Sequence, residues 1–210
     1  MITLKKEFTA SLDVDAQKGF SPLCPDELPV PDGHLIVDEL NKQAKFAKYR
    51  IGSKDCHPQN AIWIADEKNP QFSPIKGDNV DIRWNKHCMS GTLGMELLDG
   101  LPKITDYNFF VFKGVEPDLH PYSAIFHDLH KKLSTGVIEY LHQKKVTHVI
   151  ASGLALDFCL KATVIDLLNK FTVIINKSAT KSIGDFNKTV LELKQMGVLF
   201  VENADELINE

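Results

Sequence analysis

No apolar stretch in this 210-residue sequence approaches the roughly 18 residues that a membrane-spanning helix needs. The first residues, Met1-Ile-Thr-Leu-Lys-Lys-Glu-Phe8, hold no apolar signal core ahead of their charges, so the expected compartment is the cytoplasm. Excess charge of one sign is also missing. With 24 basic and 28 acidic side chains the formal net charge is −4, which gives no electrostatic case for nucleic acid or an anionic membrane as partner. Four cysteines (Cys24, Cys56, Cys88 and Cys159) are too few for a disulfide scaffold and match no zinc-finger spacing. Three of them are expected only to pack. No GxGxxG fingerprint follows the first strand pattern, which argues against a dinucleotide site, and Gly91-Thr-Leu-Gly94 lacks the lysine of a phosphate-binding loop. No internal repeat, low-complexity tract or linker divides the chain, and one domain over 1–210 is expected.

What is present is an alternation of strand and helix patterns. Strands are expected at 8–15, 49–55, 108–113, 146–151, 171–175 and 198–201, and helices at 35–48, 135–144, 160–170 and 183–196. Strands separated by helices imply an α/β fold of three layers, with helices on both faces of a mostly parallel sheet of about six strands. The exception is an excursion at about 56–107, rich in Pro, Asn, Gly and Asp, of a length that usually builds a lid or a site wall.

The polar residues fall at strand ends. Asp15 closes the first strand, Asp55 and His57 the second and Lys113 the third, while Cys159 follows the fourth. In an open parallel sheet these ends share the carboxyl edge, where such folds bind ligands. Cys159 opens a helix, and the positive helix terminus favours the nucleophilic thiolate. A carboxylate such as Asp15 can take the thiol proton and return it to a leaving amine, with Lys113 as the balancing cation. Asp55 and His57, two residues apart on an extended segment, start a divalent metal site that His87 can complete. Asp13 has no assigned role, and His34, His120, His127, His130, His142 and His148 read as structural or solvated.

Together these residues resemble the nicotinamidase branch of the isochorismatase-like cysteine hydrolases over nearly the whole chain. Asp15-Ala-Gln-Lys-Gly-Phe20 is similar to that family's Asp-x-Gln-Asn-Asp-Phe motif. Asp55-Cys-His-Pro58 resembles its metal motif, Trp84-Asn-Lys-His-Cys88 its Trp-x-x-His-Cys motif, and Gly153-Leu-Ala-Leu-Asp-Phe-Cys159 its nucleophile motif. Lys113-Gly114 and Tyr122-Ser-Ala124 fall at matching places. The resemblance implies a Rossmann-like fold and hydrolysis of an aromatic carboxamide, nicotinamide first and pyrazinamide second, through a Cys159 thioester. Another small amide or carbamoyl substrate, or a binding protein without turnover, are the other readings. Asp15 and Lys113 would support Cys159, and the Ala155 and Cys159 amides would form an oxyanion hole beyond a cis peptide at Leu154–Ala155. Phe20, Trp84, Leu154 and Tyr122 would contact the substrate. Asp55, His57 and His87 would hold one divalent ion, zinc first, then iron or manganese. The chain departs from the family at Lys18-Gly19, where Asn-Asp is usual, and at Trp63, where some members carry another histidine; three protein ligands plus water are therefore expected. The sequence leaves open whether the chain forms a homo-oligomer.

Overall fold

β-Branched runs mark the strands at Val149–Ile150 and Thr172–Ile175, while Phe109–Phe112 forms one from an aromatic-rich run. The computed structural model describes residues 1–210. Its strands are β1 (Ile2–Leu4), β2 (Thr9–Val14), β3 (Tyr49–Asp55), β4 (Phe109–Lys113), β5 (His148–Gly153), β6 (Thr172–Asn176), β7 (Leu199–Val201) and β8 (Leu207–Asn209). Its α-helices are α1 (Val37–Gln43), α2 (Val137–Gln143), α3 (Lys161–Leu168) and α4 (Phe186–Gln195). Six strands form one sheet in the order β4-β3-β2-β5-β6-β7, and each neighbouring pair is parallel. β1 and β8 make a separate parallel ribbon.

Side-chain alternation along the strands creates the layers. Ala10, Leu12 and Val14 of β2 join Val149, Ala151, Val173 and Ile175 in the largest buried cluster, which also takes the apolar stripes of α2, α3 and α4. Each fully buried Val, Leu or Ile there contributes about 1.5–3 kcal/mol relative to exposure. The intervening residues face the other way. Ile150 and Ile174 pack under the β1–β8 ribbon with Leu4, Val201 and Leu207. On the same face, Ser11 and Ser152 bond the Gln43 amide of α1 at 3.3 and 3.0 Å. Asp13 meets Arg50 at 2.7 Å and the Tyr107 hydroxyl at 2.9 Å, so this carboxylate is structural.

Element boundaries shift where side chains intervene. The helix expected over 35–48 is α-helical only at Val37–Gln43, with 3-10 turns on either side, because Lys48 already donates to Lys6 and Thr9 to start β3. α4 begins three residues late because the Asp157 carboxylate captures the amides of Ile183 and Gly184, leaving Asp185 to cap the helix.

Between β3 and β4 the chain makes only short 3-10 turns. Isolated bridges (His57 to Met89, Ile64 to Trp84, Asn79 to Leu119) tie it together, and its Trp63, Val80, Trp84, Met89 and Leu98 join Phe20 and α1 in a second buried cluster. The excursion therefore brings a core of its own. The chain order runs outward from β2 to β4, then outward from β5 to β7, so the strand order reverses between β2 and β5. The crevice at the carboxyl ends of those two strands is where this sheet type accepts ligands. No helix is long and apolar enough to cross a membrane.

Candidate active site

The four strand ends flanking that crevice deliver the expected residues. Asp15 follows β2 with φ of 45°, and its amide is held by the Ser53 carbonyl at 3.2 Å. The Ser53 hydroxyl donates to Asp15 Oδ1 at 2.7 Å. Lys113, paired in register with Asp55, places Nζ 3.0 Å from Asp15 Oδ2 and 3.7 Å from Cys159 Sγ. The same ammonium bonds Asp55 Oδ1 and the Pro121 carbonyl. Lys113 and Asp15 are 0% exposed, so this charge cluster is screened from water.

Burial and mutual charge set the proton distribution. Burial pushes Asp15 up to about 6, with the Lys113 ammonium holding it from rising further. Burial works against ionised Asp55, but Lys113 and His57 outweigh it and hold that carboxyl well below the usual range. Burial also opposes the Lys113 charge, and the two carboxylates overcome it, raising the lysine. Cys159 departs from the expectation of a resting thiolate. Burial, with Asp15 and Asp55 nearby, raises its thiol well above the ordinary value despite Lys113. Cys159 thus rests as a thiol in the same buried cluster as the Asp15 carboxylate.

Cys159 sits in a π-helical turn, Leu156–Leu160, that leads into α3. The Ala155 carbonyl accepts from Phe158 and Leu160 at 3.1 Å each and skips the Cys159 amide between them. The Ala155 amide donates to no backbone carbonyl, and the Leu154–Ala155 peptide is cis. Both Ala155 and Cys159 line a half-open pocket walled by Phe20, Trp84, Tyr122, Phe158 and Ile183. Trp84 Nε1 donates to the Tyr122 hydroxyl at 3.1 Å, which fixes two of these walls together. Leu154 is a correction: it is fully buried in the second core cluster, against Gly33, and is no part of the wall. Phe158 and Ile183 take its place, from the turn that carries Cys159 and the loop pinned by Asp157.

Beside the thiol lies a cluster of metal-type donors. Asp55 Oδ2 is 3.4 Å from His57 Nε2 and 4.0 Å from His87 Nε2. His57 Nδ1 faces the Gly114 carbonyl at 3.0 Å, and His87 Nδ1 faces the Asn85 carbonyl at 2.6 Å. A carbonyl at Nδ1 fixes the proton there and leaves the Nε2 lone pair free to bind an ion. His57 Nε2 is buried with no hydrogen-bond partner, and burial together with His57 pushes His87 down to about 3, its neutral ligand form. The donor set thus fits a divalent ion. Gly114 makes the approach possible: at φ of 70° its Cβ, if present, would lie 2.3 Å from His57 Cε1. Asp15, Asp55 and Cys159 also converge, but the Lys113 ammonium already fills that position.

Two features escaped the sequence reading. His120 is buried, in keeping with the structural alternative, but its ring nitrogen also comes within 4.8 Å of those of His57 and His87. Glu27 reaches the space left by the missing side chain at Gly19 and accepts the Cys88 amide at 2.8 Å. Neither residue carries a local pattern that would mark it; only the Tyr122-Ser-Ala124 segment two residues on hinted that the region around His120 belongs to the site.

No protein-family model matches the chain. Whole-chain comparison does decide its kinship. It is 33% identical over 214 residues to the nicotinamidase of Saccharomyces cerevisiae, covering 90% of this chain and 97% of the relative. The chain belongs to the nicotinamidase family. Solved structures agree: a nicotinamidase/pyrazinamidase of Acinetobacter baumanii superposes with a TM-score of 0.84 at 27% identity, covering 95% of this chain and 98% of that one. A pyrazinamidase of Pyrococcus horikoshii in complex with zinc superposes at 0.73 and 27% identity, covering 92% and 98%.

Proposed function

We propose that this chain hydrolyses nicotinamide to nicotinate and ammonia, with Cys159 as nucleophile, Asp15 as general base and then acid, and Lys113 as their shared cation. The observation that carries the roles is the single buried Nζ that reaches both Asp15 Oδ2, at 3.0 Å, and Cys159 Sγ, at 3.7 Å.

The proton moves as Sγ attacks the carboxamide carbon: Asp15 accepts it, and the new carbon–sulfur bond leaves negative charge on the carbonyl oxygen. The amides of Ala155 and Cys159 receive that oxyanion, a contribution worth about 10²–10³ in rate per donor in other acyl-transfer enzymes. Asp15 then returns its proton to the departing nitrogen, releasing ammonia and a thioester. Water, deprotonated by Asp15, cleaves the thioester, and the thiol regains a proton. Throughout, Lys113 offsets the charge that passes between Sγ and Asp15.

The pyridine ring lies between Phe20 and Trp84, with Tyr122 and Phe158 excluding water. Asp55, His57 and His87 would hold one divalent ion, zinc being the proposed identity. A divalent ion held there would supply a Lewis acid for the ring nitrogen of the substrate. The test is ammonia release by purified protein on nicotinamide, beside a panel of small carboxamides. Cys159→Ala should abolish release while the far-UV spectrum stays native; full activity in that variant sinks the covalent route.

A further inference from the structure

We infer that His120 is a fourth protein ligand of the metal centre. The inference rests on the metal-binding reading of Asp55, His57 and His87 and adds to it a residue from a different segment, beyond β4.

Three observations carry it. First, His120 is 3% exposed, yet neither ring nitrogen has a hydrogen-bond partner. Buried polar atoms in folded proteins are almost always satisfied, and a ring with both nitrogens bare points to a group not present among the protein atoms. Second, His120 stacks on His57, with centroids 5.2 Å apart and planes 17° apart, and stands edge-on to His87 at 5.7 Å. Ligand nitrogens of all three lie within 4.8 Å of one another; donors about 2.0–2.1 Å from one ion can be at most about 4.2 Å apart, so small shifts of the rings bring all three onto one ion.

Third, the backbone is pinned to put the ring there. Trp63 Nε1 donates to the Leu119 carbonyl at 3.1 Å, and the His120 amide donates to the Asn79 carbonyl at 2.8 Å. The Trp63 indole meets both imidazoles edge-on, at 4.6 Å to His57 and 4.5 Å to His120. One large fully buried side chain therefore sets two of the three histidines. A residue serving only as cavity wall would need none of this placement of its nitrogens.

Three imidazoles and one carboxylate form a nitrogen-rich set that favours zinc or iron(II) over manganese(II) and leaves fewer positions for water. The experiment is zinc X-ray absorption on the zinc-loaded full-length protein, with chelator competition on wild type, His120→Phe and His120→Gln. His120→Phe keeps an aromatic ring against His57 and Trp84, and a melting temperature reports its fold. Three imidazoles per zinc in the wild type are expected, two in either variant, with zinc affinity falling at least about tenfold. Two imidazoles in the wild type, or affinity unchanged within twofold in a folded variant, overturns the His120 assignment alone. A wild-type protein that binds no zinc, iron(II) or manganese(II) overturns the metal reading with it. The wild-type count decides the matter even if neither variant folds.

Discussion

Restoring the family's aspartate at position 19 should damage this protein. A Cβ built on Gly19 would stand 2.3 Å from Glu27 Oε2, 2.8 Å from Cys88 Sγ and 2.9 Å from the Gly94 carbonyl oxygen. Only the first of these can move away easily, and moving it breaks the 2.8 Å bond that Glu27 accepts from the Cys88 amide. Overpacking costs about 1–3 kcal/mol, and a lost charge-assisted hydrogen bond about 1.5–3 kcal/mol. Allowing for the rehydration of a half-buried carboxylate, Gly19→Asp is expected to cost about 3 kcal/mol. For a chain of this size that lowers the melting temperature by roughly 6–12 °C. The assay is thermal unfolding of Gly19→Asp, Glu27→Ala and the double variant. In the double variant the Glu27 clash is gone, the Cys88 Sγ and Gly94 contacts remain, and the introduced carboxylate can take over the Cys88 amide, so the two changes should compensate in part, by at least about 1 kcal/mol. Gly19→Asp melting within about 2 °C of wild type, or a double variant equal to the sum of the singles, refutes the reasoning.

Lys113→Met should remove activity and also destabilise by about 3–5 kcal/mol, since Asp15 and Asp55 would be left buried without their cation; denaturant unfolding checks this, and a neutral effect on stability would mean that the carboxylates are protonated at rest. Asp15 must be ionised to accept the thiol proton, so kcat/KM should rise with pH through about 6 and fall about tenfold per unit below it. A pH profile flat between about 4.5 and 7.5 would count against Asp15 as the base; those limits are about 1.5 units either side of its titration. Gly114→Ala should weaken metal affinity, because its Cβ would strike the His57 ring at 2.3 Å; chelator competition measures it, and unchanged affinity would show that His57 can shift without losing the ion.

The sheet was legible because its strands carry their own signals. β3 spans the residues that its pattern indicates, and Asp15, Asp55, Lys113 and Cys159 meet because parallel strand ends must share an edge. What stayed hidden depends on partners far along the chain. β1 and β8 are three-residue strands whose only pairing neighbour is the opposite end of the sequence. His120 owes its position to the distant Trp63 indole, and Glu27 to an empty volume at Gly19, neither of which leaves a periodic trace. The expected thiolate failed for a related reason. Proximity to a helix terminus can be read locally, whereas complete burial beside two carboxylates cannot.

Asp55 has one oxygen on the Lys113 ammonium and the other turned to His57 and His87. The same charge is therefore divided between the nucleophile's cation and the histidine cluster, and by thermodynamic reciprocity neither can change alone. An ion drawing on Asp55 leaves Lys113 with less counter-charge to hold and more to lend to Cys159, which should sharpen thiol reactivity. Alkylating Cys159 should in turn shift the affinity for the ion. A thiol reagent and a chelator, applied to the same protein, would then report on one shared carboxylate from its two ends.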